Sequence, residues 1–292
     1  MSASQFWELS VSAPEDISEG LTNFVWELGA LGVFEEEVGG AARLRAFFPA
    51  SLSAAGLDTE VRDYLGELRA LGFRVIDDTR IAAVADPGWA EAWRTHFQPL
   101  CVGNRLLVVP PWETWRAEGR LVIVIEPGRA FGTGHHGSTA GCLEMLERVI
   151  EDERPARALD LGTGSGILAI AAARLGVARV RAIDHDPEAV ANALANVARN
   201  DVATSVMCTL GDVAALEAEP TPIVFANILA AAHTRLAAIY QRLVAPGGVL
   251  VLGGLLEGEV GGAAEVMSRR GFDRRATLVR EGWGALELIQ RG

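Results

Sequence analysis

Three glycines alternate after an acid in Ala158-Leu159-Asp160-Leu161-Gly162-Thr163-Gly164-Ser165-Gly166-Ile167-Leu168. An apolar strand enters this loop and a helix leaves it. Glycines there let a ligand approach the backbone where a Cβ would intrude, and a plain tight turn needs fewer of them. A dinucleotide loop reads G-x-G-x-x-G and sets a diphosphate on the helix amino end. Here the spacing is G-x-G-x-G, and position 167 is Ile. Asp160, two residues before the first glycine, would repel a diphosphate and suit an ammonium group. The second acid is Asp184, in Ala182-Ile183-Asp184-His185-Asp186-Pro187, at the end of the next strand. A carboxylate there can take both hydroxyls of a ribose. An amino-acid end plus a ribose, with no phosphate, describes S-adenosylmethionine. The Gly-Lys-Ser/Thr of a phosphate-binding P-loop is missing.

The pattern resembles class I methyltransferases. In that class an acid or amide after the third strand often meets the adenine, a place that Asp212 fills here; a solvated loop acid is the alternative reading. A less generic segment is Glu126-Pro127-Gly128-Arg129-Ala130-Phe131-Gly132-Thr133-Gly134-His135-His136-Gly137-Ser138-Thr139, whose glycines and hydroxyls imply a loop closing over a ligand. Together with Phe225-Ala226-Asn227-Ile228-Leu229-Ala230 it resembles the PrmA family, bacterial methyltransferases of the large-subunit ribosomal protein L-eleven. The resemblance covers nearly the whole chain. It implies a ferredoxin-like amino-terminal domain that holds the protein substrate and a class I domain that holds S-adenosylmethionine. Matched residue by residue, it puts cofactor contacts on Ser138, Gly162, Asp184 and Asn227. Phe131, Thr133, Asp160, Gly164 and Asp212 complete the expected cofactor set. Position 138 is commonly threonine in the family; serine keeps the hydroxyl. Thr221-Pro222 stands where the family usually has an acid.

Asn227 is the expected catalytic residue. Many class I amine methyltransferases follow such an Asn or Asp with Pro-Pro-aromatic. Ile228-Leu229 follow it here, which disfavours a stacked nucleobase as substrate. Methyl transfer to nitrogen needs a neutral amine, whereas a lysine with a reference pKa of about 10.4 is almost wholly protonated at pH 7. The enzyme must desolvate or deprotonate it and hold it in line. Asn227 can orient the amine through a carbonyl oxygen, and no metal is required. His135-His136 have no third ligand at metal spacing, and Cys142 reads as helix packing. Trp89, Trp93, Trp112 and Trp115 read as core and interdomain packing. The function expected is lysine and α-amino methylation of a large-subunit ribosomal protein. The alternatives are a methyltransferase for another protein or a small-molecule amine, and a catalytically silent protein that keeps the cofactor fold.

These residues need a scaffold. From about residue 138, helices alternate with strands near 158–161, 180–183, 205–210, 223–226, 249–252, 275–279 and 285–289. Such alternation predicts an α/β fold, a Rossmann-like doubly wound sheet with its ligand at the strand carboxyl ends. The last two strands, joined by a short glycine-containing turn, form an antiparallel edge hairpin. Before them, residues 1–80 read as a small α+β module of β-α-β-β-α-β order, ferredoxin-like. Its strands fall near 6–11, 33–38, 43–48 and 73–76. Ile17, Leu21, Phe24, Val25 and Leu28 stripe the first helix, and Leu57, Val61, Tyr64, Leu65, Leu68 and Leu71 the second. The expected domains are 1–80 for substrate recognition, a linker at 81–100 with a short helix over 89–97, and 101–292 for S-adenosylmethionine.

Composition bounds the reading. At 292 residues, with 50% hydrophobic and 22% charged, the chain can bury two domain cores. No run of about 18 apolar residues and no apolar leader appear, so neither a membrane span nor secretion is expected. Three scattered cysteines suit a reducing cytoplasm. A net charge of -12 argues against a protein that lives on nucleic-acid phosphates. A monomer is expected.

Overall fold

The computed structural model describes residues 5–38, 41–70, 72–76, 78–85, 98–126 and 137–291. The chain forms two compact units, Met1–His96 and Phe97–Gly292.

In the first unit β1 (Gln5–Ser12), α1 (Glu15–Glu27), β2 (Gly32–Val38), β3 (Ala41–Pro49), α2 (Ala54–Ala70) and β4 (Arg80–Ala85) follow in order. The sheet runs β2-β3-β1-β4, every pair antiparallel. Its core joins Leu9, Val11 and Phe48 of the sheet to Ile17, Leu21 and Val25 of α1 and Leu57, Val61 and Leu65 of α2. The helical stripes thus face inward as their spacing requires. Phe24 and Tyr64 stack at 4.1 Å between ring centroids, bridging the two helices.

The last strand of this unit departs from expectation. Residues 73–76 are not a strand, and Phe73 and Ile76 are exposed. The strand starts later because Asp78 is already committed. Its carboxylate accepts from the Ser12 backbone N–H and hydroxyl, both at 2.8 Å, and pairs with Arg43. Only past this knot can the chain run along β1, where Arg80 pairs with Ser10 and Ala85 with Gln5. The turn at Gly39-Gly40 and the helix over 89–97 lie outside the described residues. So do Trp89 and Trp93, whereas Trp115 is 44% exposed and does not pack in a core.

The second unit opens with β5 (Leu100–Val102), β6 (Leu106–Val109) and β7 (Leu121–Val124), a three-stranded sheet. Then come α3 (Gly137–Glu153), β8 (Arg157–Leu161), α4 (Ile167–Arg174), β9 (Arg179–Asp184), α5 (Pro187–Arg199) and β10 (Val206–Leu210). β11 (Thr221–Asn227), α6 (Ala230–Leu243), β12 (Val244–Leu256), α7 (Val260–Ser268), β13 (Phe272–Arg280) and β14 (Trp283–Gln290) close the chain. The large sheet is ordered β10-β9-β8-β11-β12-β14-β13. Strands β8 to β12 are parallel, and β14 runs antiparallel between β12 and β13, the edge hairpin expected. Apolar clusters fill both faces. One holds Leu146, Val149 and Ile170 from α3 and α4; the other holds Tyr240, Leu243 and Met267 from α6 and α7. Burial on both faces explains why the parallel strands read as apolar runs rather than alternations. Strand order reverses at β8, which has β9 on one side and β11 on the other. The crevice above such a reversal is where doubly wound sheets bind ligands.

Candidate active site

β8 delivers Asp160 to this crevice, and the chain then turns through Gly162, Gly164 and Gly166 at φ of +75°, +55° and +83°. All three lie in the left-handed region, where an L side chain is strained. The amides of Gly162 and Thr163 both donate to the Ile183 carbonyl, at 2.8 and 3.0 Å, and dock the loop on β9. At the end of β9, Asp184 accepts from the Gly164 N–H at 2.9 Å and the Asp186 N–H at 3.1 Å. Asp186 caps α5 through the Glu188 N–H at 2.8 Å, with Pro187 at the first helical position. The side chain of Asp184 is nearly buried, so its carboxylate is fixed by the loop it was expected to serve.

Asp160 is buried completely. One oxygen, Oδ2, accepts from the Thr163 hydroxyl at 2.6 Å and the Ala169 N–H at 3.1 Å. The other, Oδ1, is buried with no partner among the described residues. Burial pushes this carboxyl up to about 7; the hydrogen bonds from Thr163 and Ala169 oppose the shift, and the charge of Asp184 adds to it. Half of Asp160 therefore pins the glycine loop from inside, and half remains an unmatched acceptor.

A second group converges from β11 and α3. Asn227 ends β11 beside Gly253 of β12. Its Nδ2 donates to the Thr139 hydroxyl at 3.3 Å, and its Oδ1 is buried with no partner among the described residues. Ser138 is buried next to Thr139 in the first turn of α3. The two groups touch: a Cβ on Gly162 would stand 2.7 Å from Ile228 Cγ2, the residue after Asn227. Asp212 lies further out and is exposed. It caps a short 3-10 turn, accepting from the Ala214 N–H at 2.8 Å, while Gly211 N–H donates to the Asp184 carbonyl at 2.8 Å. Phe131, Thr133, His135 and His136 lie outside the described residues.

Three contributors carry too weak a signal to be singled out in the sequence. Thr139 stands there only as the end of a motif. Asn196, wholly buried on α5, donates from Nδ2 to the Ser165 carbonyl at 3.0 Å and accepts at Oδ1 from the Glu126 N–H at 3.1 Å. It joins the glycine loop to the end of the β7 segment. His233 of α6 is the third, bonded to the Gly253 carbonyl behind Asn227. A polar residue on an otherwise apolar helix face is the signal that could have found the last two.

Peptide groups, carboxylates, hydroxyls and an amide compose this edge. The unmatched oxygens of Asp160 and Asn227 and the positive-φ glycines fit a ligand with an ammonium and hydroxyls, and give a diphosphate no counter-charge. S-adenosylmethionine meets that description.

The chain is similar to known proteins. The chain matches the family described as Ribosomal protein L11 methyltransferase (PrmA) over residues 5–291. A relative of that name from Geobacter sulfurreducens is 37% identical, with 99% of each chain covered. One from Methylococcus capsulatus is 36% identical, covering 97% of this chain and 99% of its own. The crystal structure of a ribosomal protein L11 methylase from Lactobacillus delbrueckii subsp. bulgaricus superposes with a TM-score of 0.62 at 25% identity, over 67% of this chain and all of that one. With the match running through both units and across the glycine loop and Asn227, the chain belongs to the PrmA family of ribosomal protein L11 methyltransferases.

Proposed function

We propose that this chain transfers methyl groups from S-adenosylmethionine to lysine and α-amino groups of ribosomal protein L11. The observation that carries the chemistry is Asn227: its amide is anchored by Thr139 on one side and keeps a buried, unmatched carbonyl oxygen on the other. In this reading Asp184 takes the ribose hydroxyls, the backbone at Gly162 and Gly164 lies along the methionine part, and Asp160 Oδ1 is the acceptor for its ammonium. Ser138 and Asp212 add polar contacts at the two ends, with Phe131 and Thr133 in the covering loop. When bound, S-adenosylmethionine supplies an electrophilic sulfonium methyl.

Every other requirement falls on the chain. The incoming amine must be neutral, so its proton has to leave to solvent before it is enclosed, because an amide such as Asn227 is no base. An amine N–H can then donate to Asn227 Oδ1, which turns the nitrogen lone pair away from the amide and along the transfer line. The Nδ2 bond to the Thr139 hydroxyl tethers the amide to the first turn of α3. The amino-terminal unit, with its own sheet and core and none of the loop residues, grips the folded substrate.

The test is incubation of the chain with purified L11 and labelled S-adenosylmethionine, followed by intact-mass analysis. Stepwise methyl additions are expected with the natural chain and none with Asn227→Ala. Labelling of other proteins in place of L11 would point to a different substrate, and cofactor binding without any transfer to a silent protein.

A further inference from the structure

Behind Asn227 sits a buried polar pair that takes no part in the transfer step itself. His233, near the start of α6, is completely buried. Its Nε2 lies 2.7 Å from the Gly253 carbonyl and its Nδ1 2.9 Å from the Tyr240 hydroxyl. A carbonyl only accepts, so Nε2 carries the hydrogen. Burial pushes the imidazole down to about 4, so the ring is neutral at pH 7 and its bare Nδ1 accepts from Tyr240. The buried cluster on this face of the sheet holds apolar side chains, among them Val224, Ala226, Leu243, Leu252 and Leu255. A leucine would fill it without burying three polar groups.

The strand explains the pair. The β12–β14 register shifts between Leu252 and Leu255, and the pairing skips Gly253 and Gly254. Gly253 is also the last partner of Asn227 in the β11–β12 ladder. These two glycines are pressed on the site. A Cβ at Gly253 would come 2.9 Å from Asn227 Oδ1, and one at Gly254 would overlap the Ile228 carbonyl.

We propose that His233 is a positioning residue for methyl transfer: through its bond to the Gly253 carbonyl, held in one tautomer by Tyr240, it fixes the β12 kink that sets the place of the Asn227 amide. The inference rests on the transfer reading of Asn227 above. It reaches the reacting atoms through backbone, by the Gly253 carbonyl and by Ile228 beside Asn227.

Two substitutions split the imidazole. His233→Gln can keep a donor where Nε2 stood; His233→Asn keeps only the arm toward Tyr240. Three quantities are measured: turnover on L11, calorimetric affinity for S-adenosylhomocysteine, and the side-chain amide resonances of Asn227. The expectation is a fall of about ten-fold in kcat for His233→Asn, affinity within about two-fold, and a displaced Asn227 resonance. His233→Gln should recover most of both losses. Tyr240→Phe, which removes the hydroxyl and keeps the ring, should move the Asn227 resonance in the same direction. The proposal is overturned if Asn and Gln variants lose turnover only in proportion to their melting temperatures. An unmoved Asn227 resonance in His233→Asn, or in Tyr240→Phe should the former not fold, overturns it too. The resonance is read without turnover. A natural chain that binds cofactor and ignores L11 therefore refutes the substrate reading, while the coupling of His233 to Asn227 stands or falls on the resonance.

Discussion

At Asp160, burial leaves a pH signature. The unfolded carboxyl titrates at its ordinary value near 3.8 and the folded one at about 7. Below the first value both forms hold the proton and the group contributes nothing. Between the two, the unfolded chain ionises first, so stability falls as pH rises, and above about 7 the full penalty is present. Asp160→Asn removes this dependence. The difference in melting temperature, variant minus natural chain, should therefore rise from pH 4 to pH 7 and level off; a flat difference would contradict the shift. Asp184, if it takes the ribose hydroxyls as proposed, offers charge-assisted hydrogen bonds to the ligand. Asp184→Ala should cost about 1.5–3 kcal/mol per lost bond in S-adenosylhomocysteine affinity by calorimetry. Natural affinity in a folded variant would remove Asp184 from the site. Both acids were legible in the sequence, because a strand, a glycine turn and a helix are neighbours in the chain. The bond between Asn227 and Thr139 was not, since it joins residues 88 positions apart and only the fold brings α3 to the end of β11.

Among the elements, α3, β11 and β12 meet at Gly253. A side chain there would overlap Cys142 Sγ of α3 as well as approach Asn227 Oδ1. Gly253→Ala should destabilise by about 1–3 kcal/mol, as overpacking does, and abolish methylation. Adding Cys142→Ala relieves the clash with α3 and leaves the crowding at Asn227. The double variant should thus regain melting temperature without regaining turnover. Recovery of both together would show that Gly253 serves packing alone. Element order in the second unit was readable because strands buried on both faces are written as apolar runs. β4 was not. Phe73–Ile76 carries the stronger strand composition, but the Asp78 knot with Ser12 and Arg43 delays the strand to Arg80. The kink at Gly253 and Gly254 was equally hidden, since two glycines between apolar residues do not say which carbonyl they free or that His233 will take it.

For the whole molecule, the chain falls into two compact units. Each has its own core, and every described cofactor candidate lies in Phe97–Gly292. A chain beginning at Phe97 should keep S-adenosylhomocysteine affinity within about two-fold and lose activity on L11. Full activity in that shorter chain would take substrate recognition away from the first unit. None of the described helices is long and apolar enough to cross a membrane. All 26 basic side chains are arginine and the sequence contains no lysine, so any methyl-lysine formed in a mixture with L11 is on the substrate. That makes one measurement decisive: residue-level mass mapping of L11 after reaction with the natural chain and with folded, cofactor-binding Asn227→Ala. Methylated lysine and α-amino positions on L11 with the natural chain, absent with the variant, is the predicted result. Unmodified L11 from a natural chain that binds S-adenosylmethionine, or equal methylation by both, would contradict it.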